Sequence, residues 1–313
     1  MSGPRVSIGL PVFNSEKSVA RALDSLLCQS FTDFEVIISD NASSDNTRKI
    51  CESYAQRDKR VRYYRNATNI GVNPNHDRVF ALAEGEFFAW FADDVEYLPG
   101  MLSRCVEVMM KAPRSVVLGY PRCEMIWNGQ VRASEGPSIE SRDPRPYRRL
   151  QTVVCNVVMV NQLFGLTKRE VLARTQLNGR YASSDYVLLA ELAMLGEIWE
   201  IPETLIRRRI DSDRGTAAVY QDPEAWQAWS GSGRGGFKDV WLPQRERLAL
   251  EYVRAAWRIP IRLADKVACL VSVLPLYYGR ESRTGRFMVR LIRSWLQKWR
   301  SFRRVDRVRS LKA

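Results

Sequence analysis

Residues 6–47, VSIGLPVFNSEKSVARALDSLLCQSFTDFEVIISDNASSDNT, decide the fold. An apolar stretch at 6–10 reads as a strand and breaks at Pro-Val-Phe-Asn. Residues 15–28 then repeat apolar side chains at helical spacing: Val19, Ala22, Leu23, Leu26 and Leu27. A second apolar stretch at 34–39 stops at Asp40, and a polar loop leads to a helix at 47–56. Working outward, 61–65 predicts a third strand, 74–83 a helix, and 86–92 a fourth strand ending at Asp93 and Asp94. Strand and helix alternating at this spacing imply an α/β fold, a mostly parallel sheet flanked by helices on both faces. Ligands of such sheets bind beyond the carboxyl ends of the strands. Three loops therefore share one edge: LPVFN, DNASSD and ADDVE.

The remainder changes character. Residues 101–111 predict a helix and 116–120 a strand, and 124–133 a hairpin turning on Asn128-Gly129. Residues 134–147, rich in Pro, Ser and charge, read as a loop. A helix is expected at 151–160, a short strand at 164–167, a helical turn at 168–175 and a clear helix at 185–195. Two extended pieces flank Pro202 within 198–209, and 211–243 lacks periodicity. This divides the chain into a first half at 1–120, a second at 121–215 in the same domain, and an extension at 216–313.

The 313 residues are 45% apolar and 27% charged, enough for a sizeable core. The net charge of +13 is unevenly placed: from Arg280 onward there are 12 Lys/Arg against 2 Asp/Glu, leaving only +3 for the first 279 residues. Six scattered cysteines without a CxxC, and one histidine, speak against a zinc cluster and for reduced, mostly buried thiols in a cytoplasmic protein. The start, MSGPRVSIGLPVF, lacks the pattern of a secretion signal. The apolar run at 267–278 is about half of a ~20-residue membrane span.

Missing motifs narrow the chemistry. No GxGxxG follows the first strand, and there is neither a GxxxxGK[ST] loop nor a GxSxG elbow. His76 in VNPNHDR does not make a triad. Carboxylates remain: Asp40, Asp45, Asp93, Asp94, Asp185 and Asp211. Adjacent Asp93 and Asp94 repel each other where a buried strand ends, so either water solvates them in a turn or a cation makes them useful.

The 6–47 block resembles the opening of family-2 glycosyltransferases, and NIGVNPNHDRVFALAEGEFFAWFADDV continues that resemblance in order and spacing to about residue 95. YASSDYVLLAELAMLG (181–196) and IPETLIRRRID (201–211) match the family's acceptor half more loosely. The resemblance implies a GT-A, Rossmann-like fold and inverting sugar transfer from a nucleotide-diphosphate donor, UDP by default, to a glycan or lipid-linked acceptor. It implies polysaccharide or glycolipid synthesis, with 1–120 holding the donor and 121–215 the acceptor. A family Mn²⁺ or Mg²⁺ neutralises the diphosphate, so Asp94 would hold the metal and Asp93 orient the donor ribose. Asp40 would accept a base N–H between Pro11 and Phe13. Asn75 is a donor contact or a cap, whereas Asp45 reads as a helix cap.

Asp185 fills the place of the acceptor-side base, although the family's usual Glu-Asp pair is Ser184-Asp185 here; its alternative is a helix-dipole partner. At Arg209-Ile210-Asp211 the family often has Arg-x-His. Asp211 would then be an extra metal ligand and Arg208 or Arg209 a phosphate partner, the alternative being a solvated charged strand.

RFMVRLIRSWLQKWRSFRRV (286–305) reads as a basic amphipathic helix with two Trp, suited to an anionic membrane surface or to packing on the domain. A nucleic-acid-binding reading finds no motif, and its charge lies in one tail. A catalytically silent GT-A partner or scaffold is the competing reading.

Overall fold

A computed structural model of the protein describes residues 3–132, 136–210 and 244–278. Strands β1 (Val6–Val12), β2 (Phe34–Asp40), β3 (Val61–Arg65) and β4 (Phe87–Trp90) form a parallel block. Helices α1 (Val19–Leu27), α2 (Thr47–Arg57) and α3 (Val72–Ala81) connect them. The sheet then runs β3-β2-β1-β4 and on through β8 (Leu166–Lys168), β6 (Val116–Trp127), β9 (Glu197–Ile210) and β5 (Val95–Tyr97), with β7 (Gln130–Arg132) on β6, nine strands among the described residues.

Period-two alternation sorts the strands onto two cores. In β4, Phe87 and Ala89 face a cluster shared with α1, whereas Phe88 and Trp90 face one shared with Val79 of α3. Gly9 of β1 permits this second packing, because a Cβ there would lie 2.5 Å from the Val79 side chain.

Beyond β4 the pattern departs from the expected one. The ADDVE loop contains a short strand, β5 (Val95–Tyr97), which pairs antiparallel with β9. Helix α4 (Met101–Lys111) lies as expected. The strand at 116–120 and the first hairpin arm are one strand, β6 (Val116–Trp127), returning as β7 (Gln130–Arg132). The turn forms on Asn128 and Gly129, both with positive φ, as a primed turn requires. Helix α5 (Pro146–Asn156) starts earlier than 151, since Pro146 sits in its first turn where no N–H is needed.

A 3-10 turn (Asn161–Phe164), β8 (Leu166–Lys168), α6 (Arg169–Leu172) and α7 (Ser184–Leu195) follow. The two pieces expected around Pro202 are one strand, β9 (Glu197–Ile210), parallel to β6; the register shifts opposite Pro121/Arg122 and leaves Pro202 unpaired.

Helix α7 is apolar on all sides because it is buried on all sides. Helices α8 (Gln244–Arg258) and α9 (Leu263–Tyr278) close over it and α5 through Tyr252, Ala255, Ile259 and Cys269. Glu191 of α7, with 0% exposure, is paired with Arg258 of α8 and accepts the Gln176 N–H at 2.8 Å. All six cysteines are free; Cys28 and Cys155 are exposed and the others buried. Among the described residues no helix is long and apolar enough to cross a membrane. Residues 286–305 lie outside the described residues.

Candidate functional site

The loops after β1 and β2 are joined by side chains at one sheet edge. Asn14 donates its N–H to Ser43 Oγ at 2.9 Å and receives the Ser44 N–H on Oδ1 at 2.9 Å. Asn14 and Ala42 both hold left-handed φ, strain of the kind that collects at functional loops. Phe13 projects beyond β1 with 48% of its surface exposed, while Pro11 lies partly covered in the strand.

Asp40 ends β2 with 0% exposure. It accepts the Ser43 N–H at 2.8 Å, the Tyr63 hydroxyl at 2.7 Å, and a hydrogen bond and ion pair from Arg65. Burial works to raise its pKa, but the bonds from Ser43, Tyr63 and Arg65 outweigh it and hold the carboxyl below its ordinary value. In this conformation Asp40 organises the DNASSD loop from beneath; a base N–H reaches it only by displacing Tyr63 or Arg65. Asn75 is likewise buried, its amide spent on Ser39 and Asn66. Asp45 lies one residue before Asn46, the N-cap of α2, and accepts the Thr47 N–H at 3.0 Å and the Glu16 N–H at 3.1 Å. His76 is partly buried beside the Val72 carbonyl, its pKa lowered by desolvation, remote in character from a catalytic base.

Asp93 and Asp94 are held apart by different partners. Asp93 accepts a hydrogen bond from Ser18 Oγ. Asp94 Oδ2 accepts Arg208 Nε at 2.9 Å, whereas its Oδ1 is buried with no hydrogen-bond partner. Antiparallel pairing of β5 with β9 sets Val95 opposite Arg208, and the Arg209 N–H reaches the Asp94 carbonyl at 2.8 Å. Alternation along β9 then separates the three arginines. Arg208 turns to Asp94, while Arg207 and Arg209 turn to Glu124 and Glu96. The cation beside the Asp pair is thus Arg208 rather than Arg209. Asp211 lies outside the described residues.

Asp185 occupies the first turn of α7, after Ser183 in left-handed conformation. Its Oδ1 accepts the Tyr186 N–H at 3.1 Å. Desolvation by the surrounding protein pushes its pKa up to about 6, opposed by the Tyr186 N–H and the positive charge of Arg208. Asp185 and Asp94 therefore stand in the field of one guanidinium. Asn73 of α3 fixes this approach by donating to Gly179 O at 2.6 Å, Tyr181 O at 3.0 Å and Ser184 Oγ at 3.1 Å.

Two contributors escaped the sequence reading. Asn161 Oδ1 accepts Arg208 Nη1 at 2.8 Å, and Phe164 lies beneath the guanidinium at 5.5 Å. The only signal was a pair of amides, Asn161-Gln162, inside an otherwise apolar stretch.

Among the described residues no group of three or more His, Cys, Asp or Glu side chains converges. The orphaned Oδ1 of Asp94 is nonetheless the hard, buried oxygen that a divalent cation takes up. The donor set fits a cation held by one or two protein carboxylates, its shell completed by phosphate and water.

A half-parallel sheet with helices on both faces and polar loops gathered at one edge is the arrangement found in the GT-A class of folds. Residues 7–174, more than half the chain, match the family described as "Glycosyl transferase family 2", and the chain belongs to it. It is 34% identical over 121 residues to the GalNAc(5)-diNAcBac-PP-undecaprenol beta-1,3-glucosyltransferase of Campylobacter jejuni, 38% of either chain. It therefore spans well under half the length of that relative. S. aureus TarS in complex with UDP-GlcNAc superposes with a TM-score of 0.59 at 18% identity, over 90% of this chain and 74% of that one. The Pyrobaculum calidifontis mannosyltransferase PcManGT, in complex with GDP-Man and Mn²⁺, gives 0.51 at 15% identity, over 94% and 83%. At such identities the likeness is one of fold.

Proposed function

We propose that the protein is an inverting glycosyltransferase that moves a sugar from a nucleotide-diphosphate donor to a hydroxyl of a glycan or lipid-linked acceptor, in polysaccharide or glycolipid synthesis. The observation that carries this reading is Asp94, at the sheet edge, bonded to Arg208, whose positive charge also acts on Asp185 in the first turn of α7. Asp185, with a pKa of about 6, is ionised at neutral pH and basic enough to take a proton from an attacking hydroxyl. Asp94 would hold the Mn²⁺ or Mg²⁺, which when bound offsets the charge developing on the departing diphosphate, and Asp93 would orient the donor ribose. Arg208 offers a second positive charge to the phosphates. Phe13 and Pro11 form the base side, over a loop shaped by Asp40. The nucleotide-sugar complexes of TarS and PcManGT, and the lipid-linked acceptor in the Campylobacter relative's name, support the donor and acceptor classes.

Nucleotide release from UDP- and GDP-sugars with Mn²⁺ tests the proposal. Wild type should turn over a donor, and Asp94→Asn and Asp185→Asn should each lose about 100-fold or more. Turnover unchanged in both variants would refute it. Nucleotide binding without turnover of any donor would favour a silent partner of the same fold.

A further inference from the structure

The Asp94–Arg208 pair raises a question of order. A divalent cation and a guanidinium compete for the same carboxylate, and at a partly buried site their mutual repulsion is stronger than in bulk water. Arg208 is the incumbent, and it is well anchored. Its backbone is set by the β5–β9 register, Nε bonds Asp94 Oδ2 at 2.9 Å, Nη1 bonds Asn161 Oδ1 at 2.8 Å, and Phe164 lies against its face. A guanidinium carries five N–H groups. Two are used, and the other three have no protein acceptor among the described residues. Those three suit a phosphate, which accepts from a guanidinium in bidentate fashion.

We propose that Arg208 is the resident counter-ion of Asp94: it keeps a bare divalent cation out of the donor-free site and gives way when a diphosphate takes the guanidinium. Cation and nucleotide then enter as a coupled pair, each strengthening the other. This rests on the reading of Asp94 as the cation's ligand. It adds that the chain carries its own occlusion of that ligand, through an arginine one residue before the position at which the family resemblance placed one.

The test is Mn²⁺ binding to donor-free protein, followed by the electron paramagnetic resonance signal of the free ion. Wild type should bind weakly. Arg208→Gln should bind at least about tenfold more tightly, because the competing charge is gone. Arg208→Lys, which keeps the charge, should stay as weak as wild type. Asn161→Ala, which removes one anchor and leaves the guanidinium, should give a smaller gain and serves as the second probe if Arg208→Gln fails to fold. Adding Asp94→Asn to Arg208→Gln should abolish the gain. Equal affinity in wild type, Arg208→Gln and Asn161→Ala overturns the inference. A gain that survives Asp94→Asn places the ion elsewhere, and it is then the reading of Asp94 that falls.

Discussion

Replacing Asp185 by Asn should make the protein more stable at neutral pH while removing its activity. Burial lifts the Asp185 carboxyl from 3.8 to about 6. A group whose folded pKa exceeds its unfolded one binds more protons in the folded state, so stability falls as pH rises through that window. Below about pH 4 both states are protonated and nothing is lost. Above about pH 6 the loss is complete, and two pKa units correspond to an upper limit of about 3 kcal/mol. Because the carboxylate keeps some accessible surface, the realised figure is about 1–3 kcal/mol. Asn keeps the oxygen that accepts the Tyr186 N–H but cannot ionise.

Urea unfolding of wild type and Asp185→Asn at pH 7.5 and pH 4 measures this directly. The expected result is a gain at pH 7.5 that vanishes at pH 4. No gain at pH 7.5, or the same gain at both, would refute the reasoning. Turnover gives an independent reading. With a pKa of about 6 the ionised fraction drops about tenfold between pH 7 and 5, whereas a carboxyl near 4 would lose less than about 10%.

Arg258→Ala should cost about 3 kcal/mol, since it strands the fully buried Glu191 charge, and Glu191→Gln in that background should recover much of it; additive losses in urea titrations would contradict this. Gly9→Ala should destabilise by about 1–3 kcal/mol because its Cβ meets Val79 at 2.5 Å, and Val79→Ala should relieve part of that in thermal unfolding. Phe13→Ala should weaken nucleotide binding roughly three- to tenfold in calorimetry with little change in stability, as expected for an exposed ring that covers a base.

The parallel block was readable because each of its strands is a short apolar run ending in a turn, and each connecting helix shows its own period. Legibility fell where pairing replaced periodicity. Three residues, Val95–Tyr97, carry too little pattern to announce a strand, and only β9 makes them one. The β9 segment looked broken at Pro202, and nothing in the sequence said what its three arginines, Arg207–Arg209, would meet. Its charges are matched by Glu96, Glu124 and Asp94, which lie about 80 to 115 residues earlier in the chain. The choice between Arg208 and Arg209 is a matter of strand register, which an isolated sequence does not contain. Asp40, Asp94 and Asp185 could be picked out as carboxylates at element ends. That Asp40 would be enclosed by Tyr63 and Arg65 depended on the neighbouring strand β3.

Asn73 gives the molecule a fixed gauge. One amide on α3 grips the loop that delivers Asp185, so on the proposed reading the spacing between the nucleotide edge and the base is set before any acceptor arrives. Surfaces downstream of that loop can therefore vary to suit different acceptors while the reach of the base stays constant. A lineage of such enzymes could change customers without recalibrating its chemistry.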